Sequence, residues 1–148
     1  MVVFRRRQAE VLLPPTRSLT KARRVLAELA GGGATPLASG LAATRDLVAG
    51  ARSRGQSSVC LLLTDGQANV SADGAAAGRP AAEADALRAA KALKLAGAST
   101  ILIDTAMRPR PFATALAVAL AARYVALPRA DAHTLSKVAR SAHRDLQR

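Results

Sequence analysis

Tryptophan is absent from this chain, and Phe4, Phe112 and Tyr124 are its only aromatic residues. Any core must therefore be aliphatic, and little is available for stacking nucleic-acid bases. Cys60 is the only cysteine, which excludes an internal disulfide and any cysteine-rich zinc site. A lone cysteine fits a reducing compartment. No apolar stretch approaches the roughly 20 residues of a membrane-spanning helix. Met1 to Phe4 is followed at once by Arg5, Arg6 and Arg7, without the apolar region of a signal peptide. The expectation is a cytoplasmic protein that does not enter a membrane.

Acidic residues are also scarce: 10 Asp and Glu stand against 22 Lys and Arg, a formal net charge of +12. Such a surface attracts polyanions and acidic proteins. Yet the cations are spread over nearly every segment, and only Arg5-Arg6-Arg7 forms a compact run. A nucleic-acid binder concentrates its charge on one face. The favoured reading is a solvated basic surface; a basic nucleic-acid-binding domain stays open as an alternative, marked by steep salt dependence.

What is present is alternation. Half of the 148 residues are hydrophobic, enough for one domain over 1–148. Met1 to Phe4 and Ala9 to Leu13 predict a β-hairpin closed by Pro14-Pro15. Ser18 is a candidate N-cap for a helix with Leu19, Ala22, Leu26 and Leu29 on one face. After Gly31-Gly32-Gly33, Thr35-Pro36 opens another helix to about Gly55, with Thr35 as cap, Pro36 at the first helical position and Leu37, Leu41 and Val48 as the apolar stripe. Ser58 to Leu63 is continuously apolar and predicts a strand buried on both faces, ending at Thr64-Asp65-Gly66. A loop from Gln67 to Pro80, a helix from Glu83 to Ala96, a strand from Thr100 to Ile103, a helix from Phe112 to Arg123 and a strand from Tyr124 to Leu127 follow. Asp131 caps a last helix with Leu135, Val138 and Ala142. Short strands alternating with helices predict a doubly wound, mostly parallel α/β sheet with helices on both faces. Ligands of such sheets bind beyond the C-terminal strand ends.

Asp65 stands at such an end, on a turn that Gly66 permits. Hard cations such as Mg²⁺ take carboxylate and hydroxyl oxygens, so Asp65 is the first candidate ligand, with turn capping as the alternative. The Gly31-Gly32-Gly33 loop could deliver the Thr35 hydroxyl to the same ion; on its own, N-capping is the simpler role. That loop lacks the Gly-Lys-Ser/Thr ending of a phosphate-binding P-loop. Asp104, at the end of the second strand, is favoured as a loop cap over a group behind a metal. Cys60 reads as inert core, and His133 and His143 are too far apart for one helical metal pair. No acid–base pair or nucleophile assembles, so no catalytic residue and no enzymatic activity are expected of this chain alone.

Together these segments resemble a von Willebrand factor A domain. In that family a metal-ion-dependent adhesion site is built from an Asp-x-Ser-x-Ser loop, a Thr before a helix and an Asp after a strand. Thr35 matches the second element, and Asp65, within Leu63-Thr64-Asp65-Gly66, matches the third. Gly31-Gly32-Gly33-Ala34-Thr35-Pro36-Leu37-Ala38, Leu62-Leu63-Thr64-Asp65-Gly66-Gln67-Ala68-Asn69 and Glu10 to Ser18 are similar to the C-terminal, integrin-I-like domain of magnesium chelatase D subunits. So are Ile103-Asp104-Thr105, Arg108-Pro109 and Leu127 to Asp131. No Asp-x-Ser-x-Ser occurs here. On this resemblance the chain is a partial domain that begins at the family's second strand, with the first strand, first helix and first metal loop missing.

The resemblance implies Mg²⁺ at Thr35 and Asp65, weakly held or absent without that first loop. It implies a docking module that couples the ATPase ring of I subunits to Mg²⁺ insertion into protoporphyrin IX by the H subunit, in chlorophyll or bacteriochlorophyll biosynthesis. An A-type interaction domain of another ATPase-partnered complex, such as a cobalt chelatase-like system, is the nearer alternative.

Overall fold

From Val59 onward strand and helix take turns, and the parallel sheet they build sets the positions of Cys60, Asp65 and Asp104. The computed structural model describes residues 1–5, 7–16, 18–28, 34–73 and 78–128, together with 137 and 141. The expected last helix, with Asp131, Leu135, Val138 and Ala142, lies outside the described residues, as do His133, His143 and the Gly31-Gly32-Gly33 loop.

Nine elements are described: β1 (Val2–Arg5), β2 (Gln8–Val11), α1 (Leu19–Ala27), α2 (Leu37–Arg52), β3 (Val59–Thr64), α3 (Gly78–Leu95), β4 (Ser99–Asp104), α4 (Pro111–Leu120) and β5 (Arg123–Ala126). Strands β3, β4 and β5 form a parallel sheet in that order. Leu62 pairs with Leu102, and Thr64 with Asp104, in the β3–β4 register. The crossovers set α3 and α4 on one face of this sheet, and α2 packs beside α3 there. The mixed α/β content and parallel sheet agree with the expected fold class.

The core is almost wholly aliphatic, with Phe112 buried in it and Phe4 and Tyr124 packed at its margin. Leu37 and Leu41 of α2, Ala82, Ala86, Ala90 and Leu93 of α3, and Leu116 and Leu120 of α4 close over Leu62 and Leu102. Alanines at four-residue spacing on α3 leave no side-chain bulk between that helix and its neighbours, so the helices approach closely. The other sheet face carries Ile101 and Ile103, both buried, packed with Val59, Val125 and Leu127.

The hairpin forms a sheet of its own. β1 and β2 pair antiparallel, with Phe4 opposite Ala9. The hairpin rests on α2: the Ala9 N–H donates to Ser39 Oγ at 3.1 Å, and Phe4 lies over Gly40. A Cβ at Gly40 would sit 2.6 Å from the Phe4 ring, so only glycine admits this approach. Ser18 caps α1 as expected, its Oγ accepting from the Lys21 N–H at 3.3 Å.

Four expectations are corrected. Helix α2 starts one residue late: Pro36 takes the cap position and no side chain closes the first turn. Thr35 is therefore not its cap. β3 is not buried on both faces, because no strand pairs with its outer edge among the described residues; Leu61 and Leu63 are each 37% exposed. Helix α3 begins at Gly78, inside the expected loop. Helix α4 ends at Leu120, where Ala121 turns left-handed at φ 50°, short of Arg123. No described helix is long and apolar enough to cross a membrane.

Candidate functional site

The C-terminal end of β3 carries the first candidate. Thr64 is buried in the sheet, and its Oγ1 accepts the Gly66 N–H at 3.2 Å. Asp65 leaves the strand half-buried. Its Oδ1 accepts the Gln67 N–H at 3.2 Å, and its Oδ2 accepts Gln67 Nε2–H at 2.8 Å. The carboxylate thus closes an Asx turn, the capping role raised as its alternative. Each oxygen retains a further lone pair, so the turn does not exhaust the group.

Gly66 makes the turn possible. Its φ is +70°, a region costly for residues with a Cβ. A Cβ there would lie 3.2 Å from Ala113 Cβ, so the loop is seated directly on α4. Ala68 and Val70, both buried, anchor the next residues.

Asn69 then reaches across to Thr35. The Thr35 N–H donates to Asn69 Oδ1 at 2.6 Å. In return the Asn69 N–H donates to the Thr35 carbonyl at 3.4 Å. Proline at 36 biases Thr35 toward extended backbone, which leaves its N–H outside the α2 ladder and free for this pairing. Thr35 is thereby tied to the loop that follows β3, at a residue four positions beyond Asp65. Asn69 is the residue that the sequence reading of this site missed. Its signal was only its place in Asp65-Gly66-Gln67-Ala68-Asn69.

Asp104 behaves as the favoured cap. Its Oδ1 accepts the Ala106 N–H at 2.9 Å and its Oδ2 accepts the Tyr124 hydroxyl at 2.5 Å. It is 1% exposed. The hydrogen bond to Asp104, with burial and the nearby carboxylate charge, pushes the Tyr124 phenol up to about 12. Cys60 is half-buried, and desolvation raises its thiol to about 11. It is protonated at neutral pH and chemically quiet, in accord with the expected inert role.

The donor chemistry suits a hard cation in kind. Asp65 offers one carboxylate, and the Thr35 hydroxyl is not committed to a helix cap. Mg²⁺ commonly binds through one or two carboxylates and keeps several waters. Among the described residues no cluster of three or more His, Cys, Asp or Glu could hold a metal. The set fits a weak, largely hydrated ion, with no tight cage.

No family model matches the chain. Over 138 residues it is 52% identical to the magnesium-chelatase 60 kDa subunit of Cereibacter sphaeroides, covering 93% of this chain and 25% of that protein. The chain is homologous to a segment of the magnesium-chelatase 60 kDa subunit. The corresponding subunit of Rhodobacter capsulatus is 46% identical over 93% of this chain and 24% of its own length. The magnesium-chelatase 67 kDa subunit of Chlorobaculum parvum is 37% identical over 95% of this chain and 24% of its length. The chain spans about a quarter of the length of these chelatase subunits, and nearly all of its own length takes part in the match.

Proposed function

We propose that this segment is a partial von Willebrand A-type docking domain of a magnesium chelatase. In this reading it couples an ATPase ring of I subunits to Mg²⁺ insertion into protoporphyrin IX by the H subunit, in chlorophyll or bacteriochlorophyll biosynthesis. The homology to chelatase subunits supports the complex. The observation that supports the docking role is the Thr35–Asn69 pairing, which ties the segment carrying the Thr35 hydroxyl to the loop that Asp65 opens.

A bound Mg²⁺ would offer open coordination positions to a carboxylate of a partner. The chain's own residues do the positioning. Asn69 fixes the backbone of Thr35, Gly66 lets Asp65 leave the strand at the required angle, and Gln67 orients the carboxylate from both sides. The basic surface speeds encounter with an acidic partner and makes it salt-sensitive.

The experiment is capture of the I-subunit ring on the immobilised full-length chelatase subunit, with and without Mg²⁺. Wild type should retain the ring in a Mg²⁺-dependent manner. Asp65→Asn keeps the turn acceptor and removes the charge, and Thr35→Val removes only the hydroxyl; both should reduce retention. Equal retention by wild type and both variants at all Mg²⁺ concentrations would refute the role of this edge.

A further inference from the structure

At the opposite end of the sheet from Asp65, the last turns of α3 and α4 border a cleft of about 340 Å³ lined by Lys91, Lys94, Leu95, Val118 and Ala119. Leu95 is 82% exposed and Val118 74% exposed, in a chain whose other helical leucines and valines mostly face the core. Helix α4 carries no charged residue from Pro111 to Leu120, and its exposed residues are Pro111, Thr114, Ala115 and Val118. A surface helix ordinarily sets charged or polar residues opposite its buried stripe. The charges bordering this cleft are instead the ammonium groups of α3. Arg88, one turn earlier, is paired with Asp85. Lys91 and Lys94 form no ion pair among the described residues.

An apolar floor with cations along one side complements an aliphatic side chain flanked by carboxylates. We propose that the α3–α4 cleft docks an acidic, leucine-bearing peptide segment of a partner protein, with the aliphatic side chain between Leu95 and Val118 and the carboxylates on Lys91 and Lys94. The site is separate from the Thr35–Asp65 edge, and the proposal does not rest on the docking role assigned to that edge. Apolar contact supplies the anchor, while the lysine pair selects against basic and neutral segments.

The test uses the whole chain, isotope-labelled, and follows backbone amide shifts as the amidated peptide EELEELLEE is added. QQLQQLLQQ serves as the uncharged control. The expected result is a set of shifts centred on Lys91, Lys94, Leu95 and Val118, with the amides near Asp65 unmoved. Lys91→Gln with Lys94→Gln should weaken binding about ten-fold and remove most of its salt dependence. Leu95→Ser with Val118→Ser should weaken it about ten-fold at every salt concentration. Both pairs lie on the surface, so the folded spectrum serves as the internal check. Shifts elsewhere, equal binding of the glutamine peptide, or wild-type affinity in both double variants would overturn the proposal. So would binding to phosphatidylserine vesicles through these residues without peptide binding. Concentration-dependent self-association abolished by Val118→Ser, again without peptide binding, would assign the cleft to a second copy and overturn it equally.

Discussion

Thr35 and Asn69 hold each other through two backbone-directed hydrogen bonds, the Thr35 N–H to Asn69 Oδ1 at 2.6 Å and the Asn69 N–H to the Thr35 carbonyl at 3.4 Å. The first couples the segment before α2 to the loop after β3 through a side chain, so one substitution can separate the two halves of the candidate site. Asn69→Ala should cost about 0.5–1.5 kcal/mol of stability, the net worth of an accessible hydrogen bond. It should also weaken any Mg²⁺ binding without touching Thr35 or Asp65. Urea unfolding and calorimetric Mg²⁺ titration of the same variant check both parts.

A second joint lies between β4 and β5. Tyr124→Phe leaves Asp104 Oδ2 without its hydroxyl donor in a buried position, and should destabilise the fold by about 1–3 kcal/mol. Chemical denaturation at neutral pH measures this.

The same pair sets an alkaline limit. The Tyr124 phenol rises from 10.0 to about 12 in the folded chain. Because the folded value lies above the unfolded one, the stabilisation is fully present below about pH 10 and is lost as pH rises through 12. Phenolate absorbance should therefore titrate near 12 in the native protein and move down toward 10 in Asp104→Asn. A wild-type midpoint near 10 would contradict the coupling.

Gly66→Ala should destabilise by about 1–2 kcal/mol from the left-handed backbone alone. The contact with Ala113 should add to that, since the new Cβ would meet it at 3.2 Å. Comparing Gly66→Ala in the wild-type and Ala113→Gly backgrounds separates the terms: with Ala113→Gly already present, Gly66→Ala should cost only the backbone term.

Much of this fold was legible because the strands are short apolar runs at regular spacing. Leu61-Leu62-Leu63 and Ile101-Leu102-Ile103 announce a parallel sheet, and Leu37, Leu41 and Val48 mark the buried side of α2. The register of continuous apolarity, however, cannot tell a central strand from an edge. Leu61 and Leu63 read as buried and are partly exposed, because what pairs with β3 is a tertiary matter. The start of α2 was misplaced because Thr35 and Pro36 both suit a helix start. Asn69 competes for the Thr35 N–H from 34 residues away, which no local pattern encodes. Asp65 and Thr35 stand out as candidates by residue type and by position at a strand end and before a helix; Asn69, which ties the Thr35 backbone to the loop after Asp65, does not.

Docking of this segment within a magnesium chelatase through the Thr35–Asp65 edge is read from the rate of Mg²⁺ insertion into protoporphyrin IX in a reconstituted complex carrying Asp65→Asn in the full-length subunit. The expected rate is reduced by about ten-fold or more and partly restored at raised subunit concentration, with the circular dichroism of the subunit unchanged. A wild-type rate at every subunit concentration would contradict it.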